Sequence, residues 1–97
     1  MPRAYLISFY RKISDTEKLG SYAKLAGPAV TAAGGRFLAR GVAAKAMEDG
    51  RLERTVVIEF DTLEVAMAFY DSAPYQKALA ALENAVERDV RIVEGVA

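Results

Sequence analysis

Thr55–Gln76 reads TVVIEFDTLEVAMAFYDSAPYQ. It opens as a strand, with Val56, Ile58 and Phe60 on one face and Thr55, Val57 and Glu59 on the other. Asp61-Thr62-Leu63-Glu64 then has the form of a capping box, with Asp61 at the N-cap and Glu64 three residues on. The helix it starts runs through Val65, Ala66, Phe69 and Tyr70. Ser72-Ala73-Pro74 interrupts it, since serine caps a helix and proline is tolerated in a first turn. Tyr75, Leu79, Leu82 and Val86 follow at helical spacing as one apolar stripe.

Outward from this stretch, the first half of the chain repeats the plan. Ala4–Tyr10 (AYLISFY) is a strand whose two faces are both largely apolar, as expected of a strand covered on both sides. Ser14-Asp15-Thr16-Glu17 predicts a cap at Ser14. Leu19, Tyr22, Ala23, Ala26, Val30 and Ala33 then mark a helix, with a kink or short break expected at Gly27-Pro28 and an end at Gly34-Gly35. Arg36–Gly41 is the second strand. Asp49-Gly50 predicts a two-residue hairpin turn, making residues 42–54 a hairpin extension. Val90–Glu94 is the last strand.

The order β-α-β-β-α-β with right-handed crossovers predicts an α+β, ferredoxin-like fold on an antiparallel sheet. Two helices cover only one sheet face, so the other, with Leu38 and Val57, calls for a partner, and a two-fold homodimer is the expectation.

Composition narrows the function by exclusion. With 97 residues the chain suits one domain, 1–97, burying about 60–70% of its unfolded surface. Thirteen basic residues balance thirteen acidic ones, which gives no electrostatic case for nucleic acid or an anionic membrane. No apolar run reaches membrane-span length and MPRAYLISFYR lacks the marks of a signal peptide, so the cytoplasm is the expected location. Without Cys or His, the usual zinc sites, thiolate clusters, histidine-ligated haem and Ser-His-Asp or Cys-His relays are excluded. No cofactor or metal is expected. Carboxylate, Tyr, Lys and Arg remain for proton transfer.

Several segments carry a resemblance: the Tyr5 strand, Gly34-Gly35-Arg36-Phe37-Leu38-Ala39-Arg40-Gly41, Val57-Ile58-Glu59-Phe60, the run from Ala68 to Gln76, and Val93-Glu94-Gly95. Together they resemble the bacterial domain-of-unknown-function family DUF1330, within the dimeric α+β barrel superfamily. The resemblance implies a ferredoxin-like fold and a dimer whose sheets pair into a barrel. Superfamily relatives include cofactor-free monooxygenases, muconolactone isomerases and haem-binding enzymes. The chain departs from the family pattern at Phe69, where Trp is frequent, and in lacking an arginine around Leu82.

The candidate site residues are Tyr5, Tyr22, Arg36, Arg40, Glu59, Tyr70 and Tyr75. Arg36, Arg40 and Glu59 are charges within apolar strands. They either bind an anionic or enolic small molecule, with Glu59 as base, or satisfy one another as an ion pair at a dimer face. Tyr22, Tyr70 and Tyr75, with Asp71 and Ser72, either rim a pocket or serve as core tyrosines beside a cap. The function implied is binding of a small, largely apolar or aromatic molecule. The alternative is a cofactor-independent monooxygenase or isomerase using Glu59 or a tyrosine. A two-residue turn at Asp49-Gly50 sets Arg40 directly across from Glu59, whereas a bulge near Gly41 slips that register and aims Arg40 elsewhere.

Overall fold

The computed structural model describes residues 2–97. Among them the order is β1 (Ala4–Ile13), α1 (Thr16–Ala32), β2 (Arg36–Val42), β3 (Arg54–Phe60), α2 (Leu63–Asp71), α3 (Ala73–Leu82) and β4 (Val86–Glu94). The strands form one antiparallel sheet in the order β2-β3-β1-β4, the ferredoxin-like arrangement expected. The break at Ser72 divides the second helical region into α2 and α3. Ser72 serves both: its hydroxyl donates to the Phe69 carbonyl (2.7 Å) and accepts from the Tyr75 N–H (3.4 Å). None of the described helices is long and apolar enough to cross a membrane.

The helices cover one sheet face. Ala4, Leu6 and Tyr10 of β1 and Val56, Ile58 and Phe60 of β3 are buried there. They pack against Tyr22, Ala26 and Val30 of α1 and Phe69, Tyr75 and Leu82 from α2 and α3. Phe69 stacks at 4.5 Å on Tyr75 and at 5.0 Å on Phe60, which fastens the helical break to the sheet. Gly34 takes φ 76° at the end of α1, a conformation that costs glycine little. At Gly35 a Cβ would stand 2.8 Å from both Phe60 and Val30, so the chain enters β2 only because that atom is missing.

Four expectations need correction. The caps of α1 and α2 each lie one residue later than predicted. Asp15, not Ser14, accepts the N–H groups of Glu17 and Lys18, because the Ser14 hydroxyl is spent on the Ala85 carbonyl. Thr62 caps α2 through the Val65 N–H, leaving Asp61 to bind Arg3 and Arg36. Second, Pro28 does not break α1, which is continuous from Thr16 to Ala32. Pro28 is exposed, so water can serve the carbonyl that its missing N–H leaves. Third, residues 43–53 are a loop rather than an extension of the hairpin. The ladder ends at Val42↔Arg54 and one further bond, Ala43 N–H to the Glu53 carbonyl. The tight turn spans Met47–Gly50 with Glu48, at φ 53°, in its interior. Fourth, Glu83 turns the chain out of α3 at φ 51°, so β4 starts at Val86, which belongs to the sheet and not to a helical stripe. Within the single chain the second face of β1 is open: Tyr5 and Ile7 are half-buried and Phe9 is 43% exposed.

Candidate functional site

The predicted residues separate onto the two faces of the sheet. On the open face, Arg36 of β2, Glu59 of β3 and Tyr5 of β1 stand in one cross-strand row. Arg36 Nε donates to Glu59 Oε1 (3.0 Å) and the Tyr5 hydroxyl donates to Oε2 (3.2 Å). Arg36 also reaches Asp61 (3.0 Å) and the Gly34 carbonyl (3.0 Å), and Arg3 joins through Asp61 (3.1 Å). The Arg36 hydrogen bond holds the Glu59 carboxyl below its ordinary value, against partial burial, with Tyr5 and Arg3 adding to the effect. Glu59 is therefore an ionised, satisfied acceptor and a weak base.

Arg40 is not part of this group. The predicted Arg40–Glu59 pair does not form, because Arg36 faces Glu59 while Arg40 faces Val56. A bulge at Leu38, between the pairs Phe37↔Ile58 and Ala39↔Val57, inverts the alternation and puts Arg40 on the helix-covered face. Its guanidinium lies 4.3 Å above the Phe37 ring.

That face contains the second cluster. Arg88 of β4 reaches inward under α1 and donates to three hydroxyls: Tyr10 (3.1 Å), Tyr22 (3.2 Å) and Tyr75 (3.2 Å). Tyr22 and Tyr75 share a hydrogen bond of 2.7 Å. Burial, then the neighbouring Tyr22, push the Tyr75 phenol well above its ordinary value, so it stays a neutral hydroxyl. Tyr70 packs its ring 5.3 Å from that of Tyr75 and takes no part in the hydroxyl hydrogen bonds of the cluster.

Between this cluster and α1 lies a cavity of about 30 Å³. Its apolar wall is Val30, Phe37, Val56 and Ile58; Ser8, Tyr10, Tyr22 and Tyr75 supply hydroxyls. Ala23, Gly27 and the exposed Arg40 stand at its rim, and Arg54 and Arg88 line its polar end. Arg54 Nε is buried with no hydrogen-bond partner. None of the ion pairs among the described residues involves Arg40, Arg54 or Arg88.

The sequence reading missed Arg54, Arg88, Tyr10 and Ser8. A signal for the two arginines was present: Arg54 continues the parity of Val56, Ile58 and Phe60, and Arg88 that of Val90 and Ile92. A cation on an apolar parity is a group placed inside. Starting the last strand at Val90 hid Arg88.

Solved structures resemble this one at low sequence identity, which speaks for the fold alone. A protein of unknown function from Rhodopseudomonas palustris superposes with a TM-score of 0.75 at 13% identity, over 99% of this chain and 84% of that one. A dimeric ferredoxin-like protein of unknown function from Thermobifida fusca gives 0.65 at 17%, over 96% and 91%. A candidate antibiotic biosynthesis monooxygenase from Caulobacter crescentus gives 0.63 at 13%, over 99% and 92%. No curated protein matches the chain in sequence. The family model described as Domain of unknown function (DUF1330) matches residues 3–96, and the chain belongs to that family.

Proposed function

We propose that this protein is a homodimeric small-molecule-binding protein of the cytoplasm, with one site per chain in the cavity between α1 and the sheet. The observation that carries the reading is the form of that cavity. An apolar wall of Val30, Phe37, Val56 and Ile58 faces a polar end built by Arg88 and the tyrosine hydroxyls. Such a lining suits the polar end of a small, largely apolar or aromatic molecule, oriented by a few hydrogen bonds while its body reaches past the cavity of about 30 Å³ to the rim. Two-dimensional NMR with a panel of apolar aromatic fragments tests it. Shifts confined to Val30, Val56, Ile58 and the tyrosines are the expected result, and no shift from any fragment would remove the reading.

The dimer is supported by the open face. Ile7, Phe9, Val57 and Val93 form an apolar patch there, flanked by Arg3, Arg36, Glu59 and Asp61 at one end and Arg11, Asp89 and Arg91 at the other. A two-fold axis brings such a patch onto its own copy. The Thermobifida fusca neighbour is described as dimeric. Light scattering at micromolar concentration is expected to give twice the monomer mass.

A catalytic reading has narrower support. Tyr22 and Tyr75 share one hydroxyl proton, which leaves two of the cluster's three O–H groups free to donate to a substrate carbonyl in the cavity. The Caulobacter crescentus neighbour is named as a candidate monooxygenase. Glu59, held ionised on the opposite face, is poorly suited to serve as the base for that cavity.

A further inference from the structure

The cavity's charge does not balance. The chain as a whole is neutral, with thirteen basic and thirteen acidic residues. Arg3, Arg11, Arg36 and Arg91 each pair with a carboxylate. Arg40, Arg54 and Arg88, the three arginines on the cavity wall, pair with none among the described residues. A guanidinium drawn out of water without a counter-ion is costly, and the tyrosine oxygens around Arg88 supply dipoles but no charge. Arg54 Nε goes further, since its N–H is buried and has no acceptor at all. Buried donors of this kind are nearly always satisfied by protein, water or ligand, so this N–H stands open to an acceptor that enters the cavity from outside.

We propose that this cavity takes the carboxylate head of a small organic acid, with Arg54, Arg88 and Arg40 as its cationic frame. The inference rests on the small-molecule reading above and specifies its ligand. About 30 Å³ exceeds the space one water needs and suits a compact head group. Planar guanidiniums match a planar carboxylate, and the two free tyrosine O–H groups add neutral donors. The apolar body lies along Phe37 and Val30 toward the rim at Ala23 and Gly27, where Arg40 stacks on Phe37 and closes over it.

Isothermal titration with benzoate, its neutral isostere benzamide, and inorganic phosphate tests this on the intact protein. Benzoate is expected to bind, benzamide to bind at least about tenfold more weakly, and added salt to weaken benzoate only. Arg54→Gln is expected to weaken benzoate by about tenfold while leaving benzamide unchanged. Arg40→Gln, at an exposed position, is expected to weaken it in the same sense. Equal binding of benzamide and benzoate would overturn the carboxylate head and leave the small-molecule reading standing. Tighter binding of phosphate than of benzoate would overturn the organic acid in favour of a bare oxyanion. Binding of none of the three, with no fragment shifts by NMR, would overturn both readings.

Discussion

The two arginine-tyrosine clusters use the same residue types on opposite faces of one sheet, and only one of them is neutralised. On the open face Arg36 and Tyr5 converge on Glu59, and Asp61 serves both Arg36 and Arg3. Under the helices Arg88 meets three phenols and no carboxylate, with Arg54 and Arg40 beside it. A balanced cluster beside water fixes geometry and contributes little else. An unbalanced one away from water is expensive, and an expense of that kind is best explained by what the cluster binds.

Four experiments act on that contrast. The largest effect is expected from Tyr75→Ala, which removes a side chain only 1% exposed and the aromatic link from α3 to Phe69. A loss of about 3–5 kcal/mol by urea denaturation is expected, and less than about 1 kcal/mol would mean that the interior cluster is not part of the core. Arg88→Lys comes next. It keeps the charge, but a single ammonium nitrogen on a shorter stem replaces the two planar guanidinium nitrogens that reach Tyr10 and Tyr22 on one side and Tyr75 on the other, so a cost of about 1.5–3 kcal/mol is expected at unchanged denaturant sensitivity. Gly20→Ala touches neither cluster. Its added Cβ meets open space on an exposed turn of α1, and a gain of about 0.5–1 kcal/mol in the same assay sets the scale for an inert change.

The smallest effect is a slope in pH. Glu59 has its folded pKa depressed below the ordinary 4.5, and Asp89 below 3.8. Such groups contribute stability that is fully present above their unfolded values and is lost as pH falls through the folded ones. Stability is therefore expected to decline below about pH 4.5, and Glu59→Gln to flatten part of that decline. The interior cluster has no carboxylate, so the ring signals of Tyr22 and Tyr75 are expected to hold still across the same window. Movement of those signals in step with the loss would couple the two faces and break the contrast.

Most of the fold was legible because its signals are local. Alternation in Thr55–Phe60, the Ser72-Ala73-Pro74 break and the Gly34-Gly35 stop each depend on a few neighbouring residues, and each appears in the structure. The caps slipped by one because Ser14 and Asp61 are as suited to capping as Asp15 and Thr62. What separates them is a distant partner, Ala85 for one and Arg3 and Arg36 for the other. The site was read less well for the same reason. Pairing Arg40 with Glu59 required counting through residues 43–53, and both that loop and the bulge at Leu38 change the count. Tyr22 and Tyr75 were singled out as a pocket rim, but the cation that joins them arrives from β4, in the gap left between the helical stripe ending at Val86 and the strand read from Val90.

Leu38 has one more consequence, for how this chain can tolerate changes in length. β2 is an edge strand, hydrogen-bonded to β3 alone, so a surplus residue there disturbs a single ladder. Excising Leu38 would restore strict alternation and still leave Arg36 outside and Arg40 inside. Inserting or excising one residue within Ala4–Phe9 of β1, which is paired on both sides, would exchange inside for outside against two neighbours at once. Within the sheet, then, Leu38 on the outer rim of β2 is a place where a one-codon deletion can be silent, and the doubly paired stretch Ala4–Phe9 is where it cannot.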